Sequence, residues 1–234
     1  MALFVLADTH LSITTHKPMD IFGSRWKDHT DRIRQEWEAV VSPDDTVVIP
    51  GDISWGMNFE EAREDFLFLD SLPGQKLISK GNHDYWWATK SKQDAFFESE
   101  GITTISQLYN NAYRVGDLMV CGSRGWYSDD HNAPKDSDYQ KIVNREVGRM
   151  ELSIKAANDI DPSLEKLMFL HFPPVFGDYV CEEIVDCLVN NGIKRCYYGH
   201  IHGKYTCPPV VNYRGVDFYI ISADYLDFKP MLII

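Results

Sequence analysis

The chain has 234 residues, 44% of them hydrophobic, and a formal net charge of −12. That length suits one large domain, 1–234, and an acidic field repels a polyanion, which argues against a nucleic-acid partner. Five cysteines, Cys121, Cys181, Cys187, Cys196 and Cys207, form no CxxC pair, which excludes a disulfide framework and a zinc ribbon. No apolar run reaches membrane-spanning length. The apolar start Met1–Ala7 runs directly into Asp8, as a strand does and a signal peptide does not. The expectation is a soluble, cytoplasmic protein in a reducing compartment, with no membrane partner.

Residues 2–7 predict a buried first strand, followed by Asp8-Thr9-His10. An aspartate and a histidine two apart at a strand end can chelate one ion, although a lone D-x-H reads better as a turn. Trp26, Ile33, Trp37 and Val40 recur at helical spacing and predict a helix to about Val41. His16 and His29 have no chelating neighbour and read as surface or packing residues. Thr46–Pro50 is a second buried strand, ending in Gly51-Asp52, with Trp55 as a candidate wall of a site. Asn58 and Glu61 predict the N-terminal cap of a helix marked by Phe59, Ala62, Phe66 and Leu69.

Gln75–Ser79 is a third strand that breaks at Lys80-Gly81 into Asn82-His83-Asp84. Such tips are where α/β folds place ligands. The tip offers an amide oxygen for a hard cation and an imidazole able to carry a proton near neutral pH. Its carboxylate can hold the second nitrogen of that imidazole. Alternation of strands and helices to this point implies βαβ units and a largely parallel sheet. Tyr85-Trp86-Trp87 follows, either a core corner or a platform for a flat substrate group.

A helix over about 90–99 stops at Gly101, and Ile102–Ile105 is strand-like. Tyr109 to Cys121 alternates as a hairpin turning at Gly116-Asp117, so the second half brings antiparallel strands and the sheet is mixed. Arg124, between Ser123 and Gly125, either clamps a phosphate bidentately or forms a surface ion pair. His131, in the polar stretch Ser128 to Asp138, either reaches a site or is solvated. A long helix spans roughly 139–158, and the strand Lys166–Leu170 ends in His171. Val180, Ile184, Leu188 and Val189 predict a helix stopped by Gly192. The strand Arg195–Tyr198 ends at Gly199-His200-Ile201-His202, and Phe218–Ile221 and Met231–Ile234 close the chain as strands.

Asp8 and His10, Asp52, Asn82 to Asp84, His171, and His200 and His202 thus all follow apolar strands, which makes them one convergent site. Carboxylate, amide and imidazole donors without a thiolate suit manganese, iron or zinc and are too nitrogen-rich for calcium or magnesium alone. The donors are too many for one ion. Two metals about 3.5–4 Å apart need one shared carboxylate.

The ordered set D-x-H, G-D, G-N-H-D, H and G-H-x-H resembles the calcineurin-like metallophosphoesterase family, over residues 8–202. The resemblance implies a mixed α/β fold: a two-layer β-sandwich flanked by helices, αββα, with a dinuclear metal centre at the strand tips. Position by position it implies Asp8, His10 and His202 on one metal and Asn82, His171 and His200 on the other. Asp52 would bridge both. His83 would contact the phosphate, with Asp84 its partner. The implied reaction is hydrolysis of a phosphate ester, a monoester or a small-molecule diester, by metal-bridging hydroxide attack at phosphorus. His83 would stabilise the transferring group or protonate the leaving oxygen. Trp55, Trp86, Trp87, Trp126 and Phe172 would rim the site and hold a nucleoside or aryl leaving group, with Arg124 on the phosphate.

The chain departs from the protein Ser/Thr phosphatase branch, because Tyr85-Trp86-Trp87 stand where an arginine follows GNHD there. That speaks against phosphoprotein substrates. Two rival readings are a scaffold of the same fold that has lost hydrolysis and a nuclease. The complete ligand set with His83 opposes the first, and the net charge of −12 without a basic arm opposes the second.

Overall fold

The structure is a computed structural model that describes residues 1–127 and 136–234. His131 and the rest of 128–135 lie outside the described residues. The first half runs β1 (Leu3–Val5), α1 (His29–Val40), β2 (Thr46–Pro50), α2 (Phe59–Ser71), β3 (Gln75–Ser79), α3 (Lys90–Glu100) and β4 (Ile105–Gln107). The second runs β5 (Ala112–Val115), β6 (Leu118–Ser123), α4 (Asp136–Ile160), β7 (Glu165–Leu170), β8 (Val175–Phe176), β9 (Tyr179–Val180), α5 (Glu182–Asn190), β10 (Arg195–Tyr198), β11 (Val210–Tyr213), β12 (Val216–Ile220) and β13 (Met231–Leu232).

Two mixed sheets result. One has the order β13-β1-β2-β3-β4, and the other β11-β12-β10-β7-β6-β5. In each, parallel strands fill the middle and an antiparallel strand closes an edge. The side-chain period of two along a strand sorts residues into layers. Leu3, Val5, Val48 and Leu77 of the first sheet meet Val120, Leu167, Phe169 and Tyr197 of the second in an inner layer. The alternate residues Phe4, Val47, Ile49 and Ile78 pack outward against Ile33 and Trp37 of α1 and Phe66 and Leu69 of α2. On the far side Met119, Cys121, Met168, Cys196 and Phe218 pack against α4 and α5. This is the αββα sandwich the resemblance implied.

Local signals hold where the cap or turn is explicit. The Glu61 N–H donates to Asn58 Oδ1 at 3.0 Å and starts α2. Gly101 ends α3 in the left-handed region at φ 69°, where glycine carries no Cβ penalty. Other expectations fail: Trp26, read as part of the first helix, lies in a 3₁₀ turn before α1, and the strand expected over Ile102–Ile105 is β4, which begins only at Ile105. Val180, assigned above to a helix, sits in the hairpin β8–β9, which turns at Gly177 with φ 58°, and α5 begins at Glu182. β11 was not expected, because it is a mostly exposed edge strand and shows no buried alternation.

Parallel strands put their carboxyl ends at one edge, and the two sheets are stitched there. The Ala7 N–H donates to Ile221 O at 3.0 Å and the Ala223 N–H to Ala7 O at 2.9 Å. The tips of β1 and β12, on different sheets, therefore meet. Cys121, Cys181, Cys187 and Cys196 are buried, Cys207 is half-buried, and none is in a disulfide. Among the described residues no helix is long and apolar enough to cross a membrane.

Candidate metal centre

Two groups of donors face each other where the sheets join. Asp8, His10 and His202 form one, and Asp52, His171 and His200 the other; within each group the donor atoms lie within 4.8 Å of one another. Asn82 joins the second, with its Oδ1 2.6 Å from His171 Nε2. His10 Nε2 and His202 Nε2 point at each other at 3.2 Å. Asp52 lies between the groups. Its Oδ2 is 3.6 Å from His10 Nε2 and 3.6 Å from His171 Nε2.

The backbone prepares each carboxylate by occupying one oxygen. Asp52 Oδ1 accepts the His83 N–H at 2.8 Å, which leaves Oδ2 toward the histidines. Asp8 Oδ2 accepts the His200 N–H at 2.8 Å, while Oδ1 is buried without a hydrogen-bond partner. Gly81 and Gly199 make these approaches possible: a Cβ at Gly81 would strike Asp52 Oδ1, and one at Gly199 would strike Asp8 Oδ2. Asp8, His10, Asp52 and His200 have φ of 59°, 44°, 51° and 70°, the left-handed region that non-glycine residues rarely occupy.

Second contacts set the imidazole tautomers. His202 Nδ1 donates to Asp224 Oδ1 at 2.8 Å, and His171 Nδ1 to the Pro50 carbonyl at 3.3 Å. A carbonyl only accepts, so Nδ1 of His171 carries the proton, and the bare Nε2 is left facing two other acceptors, Asp52 Oδ2 and Asn82 Oδ1, a cluster of lone pairs that a cation would satisfy. Burial pushes the Asp8 carboxyl up to about 7. It raises Asp52 well above the carboxylate range, with the charges of Asp84 and Asp8 adding. His10 and His171 are pushed well down by burial and by the neighbouring rings. At His202 burial opposes the charged form, but the Asp224 hydrogen bond and the Asp8 charge outweigh it and raise the pKa.

The donor set fits divalent transition metals. It offers carboxylate, amide and imidazole donors and no thiolate. Burial and neighbouring rings hold His10 and His171 in the neutral form, the one that coordinates. Its carboxylates are penalised by burial, a cost that a cation between them offsets.

His83 stands beside the first group. Its ring centroid is 4.4 Å from that of Trp55, which in turn stacks on His10 at 5.0 Å. Burial, then the Lys17 and His202 charges, lowers His83 to about 4. The expected pairing with Asp84 is absent. Asp84 is fully buried and accepts the N–H groups of Gly81 at 2.7 Å, Asp52 at 2.8 Å and Ile53 at 2.8 Å, together with Trp86 Nε1 at 3.1 Å. His83 Nδ1 is buried without a partner. Asp84 therefore fixes the loops after β2 and β3 and does not orient the imidazole.

The aromatic residues separate. Trp55 walls a cleft of about 470 Å³ with Lys17, Met19, Trp26 and His83. Trp126 and Phe172 line a smaller one, about 250 Å³, with Asn82, Arg124 and His200. Trp86, offered above as a rim residue, is only 3% exposed and packs edge-on against Phe66 at 4.7 Å, so it belongs to the core. Arg124 sits over Phe172 at 5.6 Å and Trp126 at 5.8 Å, and its Nε has no partner. Three contributors were missed: Asp224, Lys17 and the buried His29, whose Nε2 donates to the His10 carbonyl at 3.2 Å. Asp224 stands four residues past the end of β12, beyond Ile221, Ser222 and Ala223, so the strand-then-carboxylate signal that singled out Asp52 is diluted there.

Two joined mixed sheets whose strand tips gather two donor groups about a common carboxylate define the metal-binding α/β-sandwich hydrolases as a class. Within it, the chain belongs to the calcineurin-like phosphoesterase family, whose model matches residues 1–204. The family hydrolyses phosphate esters and typically binds two metal ions. No curated protein matches the chain. Phosphopantetheinyl hydrolase from Mycobacterium tuberculosis shares the fold with a TM-score of 0.56 at 14% identity, over 100% of this chain and 95% of that one. The Thermus thermophilus protein TT1561 does so with a TM-score of 0.55 at 9% identity, over 98% and 96%. A protein of unknown function from Aquifex aeolicus does so with a TM-score of 0.51 at 16% identity, over 99% and 95%. At these identities the likeness is one of fold.

Proposed function

We propose that this chain is a dinuclear-metal-dependent hydrolase of small-molecule phosphate esters. The observation that carries the reading is Asp52, whose Oδ2 lies 3.6 Å from a histidine nitrogen of each donor group. Asp8, His10 and His202 would hold one ion and Asn82, His171 and His200 the other, with Asp52 placed to serve both. Manganese, iron or zinc suits these donors. When bound, such ions neutralise phosphate oxygens and acidify water for attack at phosphorus.

The chain's own residues do the rest. Backbone N–H groups fix Asp8 and Asp52, and Asp224 fixes the His202 ring. His83 contacts the phosphate or the leaving oxygen from beside the cluster, without Asp84. Trp55 and Lys17 wall the cleft next to it and keep an apolar leaving group from water. Arg124 and Trp126 hold the opposite side. The M. tuberculosis neighbour's name supports phosphoester hydrolysis on this fold. The inner layer drawn from both sheets supports one domain over 1–234, and cysteines outside disulfides fit a reducing cytoplasm.

The test is hydrolysis of 4-nitrophenyl phosphate and bis(4-nitrophenyl) phosphate by purified protein with added manganese, iron or zinc, alongside elemental analysis. Turnover that EDTA abolishes, with up to two ions per chain, is expected. Metal-loaded protein that turns over neither ester is the scaffold instead.

A further inference from the structure

A cavity of about 370 Å³ lies behind Arg124, between the ends of β3 and β6 and the side of α4. Among the described residues four cations line it, Lys80, Arg124, Arg145 and Arg149, against one carboxylate, Glu146. That sign is opposite to the chain's net charge of −12. Glu146 is already engaged: one oxygen pairs with Arg149 and the other accepts from Ser123 Oγ at 2.9 Å. Among the described residues Lys80, Arg124 and Arg145 have no carboxylate of their own.

Three buried polar atoms on the cavity's lining residues also lack a hydrogen-bond partner: Ser79 Oγ, Arg124 Nε and Trp126 Nε1. Buried donors are normally satisfied, so three orphans on residues that line one cavity mark a place for an acceptor. Several acceptor oxygens on one centre match this donor set of an ammonium, guanidinium groups, a hydroxyl and an indole N–H. Arg124 and Trp126 also line the cleft that holds Asn82 and His200, so the cavity adjoins the metal centre through a shared wall.

We infer that this cavity is a second phosphate site, and that the substrate is a small molecule carrying two phosphate groups. One phosphate is the ester cleaved at the donor cluster. The other is held by Lys80, Arg124, Arg145 and Arg149. The inference rests on the proposed function for the first phosphate, while the second site stands on its own residues.

The kinetic test compares alkanediol bisphosphates of three to six carbons with the matching alkyl monophosphates, at fixed free manganese. The parent should favour at least one bisphosphate in kcat/KM by about tenfold or more, the size of one charge-assisted hydrogen bond. Arg145→Gln and Lys80→Gln should each erase most of that preference, and Arg63→Gln, on the outer surface of α2, should not. A preference that is absent, or that survives both variants, overturns the inference. Calorimetry with inorganic pyrophosphate on metal-stripped protein tests the cavity separately. Saturable binding weakened about tenfold by Arg145→Gln is expected. No binding, or binding the variant leaves intact, overturns the anion site. Intact pyrophosphate binding by the parent without turnover of any ester removes the hydrolase reading and the substrate assignment but keeps the site.

Discussion

On the His10 and His202 side of the donor cluster the walls are aromatic. Trp26 meets both rings edge-on, at 5.6 Å and 5.4 Å, and Trp55 stacks on His10. Lys17 is the cation there, and it is spread over the Trp55 face at 2.8 Å from the ring centroid. On the Asn82 and His200 side the walls open through Arg124 into a cavity lined by Lys80, Arg124, Arg145 and Arg149, the first three without a carboxylate partner among the described residues. The same contrast extends to ligand support. His202 is held by a buried carboxylate, Asp224, and His171 only by a carbonyl. A site with one apolar and one cationic flank accepts a polar-headed molecule in a single direction, which supplies orientation before any chemistry.

The contrast can be broken at its base or sharpened on either side. Asp84 lies beneath both flanks. Asp84→Ala strands several buried N–H groups, each worth about 1–3 kcal/mol, so unfolding free energy should fall by more than about 4 kcal/mol. Thermal and urea unfolding check this; a change in activity without a change in stability would restore Asp84 as the partner of His83. Next in size, Asp52→Asn removes the carboxylate common to both groups. Metal content at both positions should drop together, by more than the about 10–100-fold that supporting residues cost. His10→Ala should empty chiefly one. Competitive metal titration separates the two, and equal independent losses would deny the bridging role.

His83→Asn should retain metal and fold yet lose about 10²–10⁴-fold in rate, most on poor leaving groups. Loss of an ion in this variant would make His83 a ligand. Asp224→Asn should weaken metal binding about 10–100-fold, and on the His10 side alone. A uniform loss across both positions would erase the asymmetry in support. The smallest effect belongs to Trp55→Leu. An aromatic contact is worth about 0.5–1.5 kcal/mol, so KM for aryl esters should rise a few-fold while KM for alkyl esters moves little.

Much of the centre was legible because each donor follows a run of apolar residues that admits only a buried strand. Asp8, Asp52, His171 and the His200/His202 pair end such runs, and parallel strands bring their carboxyl ends to one edge. The middle tip was legible in composition and not in wiring. Asn82, His83 and Asp84 are adjacent in sequence, and nothing there shows that the Asp84 carboxylate turns inward to four backbone N–H groups. Trp86 followed the same hidden turn into the core. Lys17 lies in irregular chain with no periodicity to read, and Trp26, whose spacing to Ile33 and Trp37 looked helical, sits in a short 3₁₀ turn before α1 begins at His29. The cations of the cavity come from the residues just after β3 and β6 and from α4, and only the packed sheet and helix show that they share a space.

The left-handed backbone at Asp8, His10, Asp52 and His200 has a consequence for how this sequence changes over generations. Each such residue holds a conformation costing roughly 1–3 kcal/mol, which glycine adopts freely. Selection for heat resistance alone, with no demand for activity, should therefore reach these positions early and replace the donors with glycine or asparagine. A lineage that keeps four charged or imidazole side chains in that conformation is under selection for what the side chains bind.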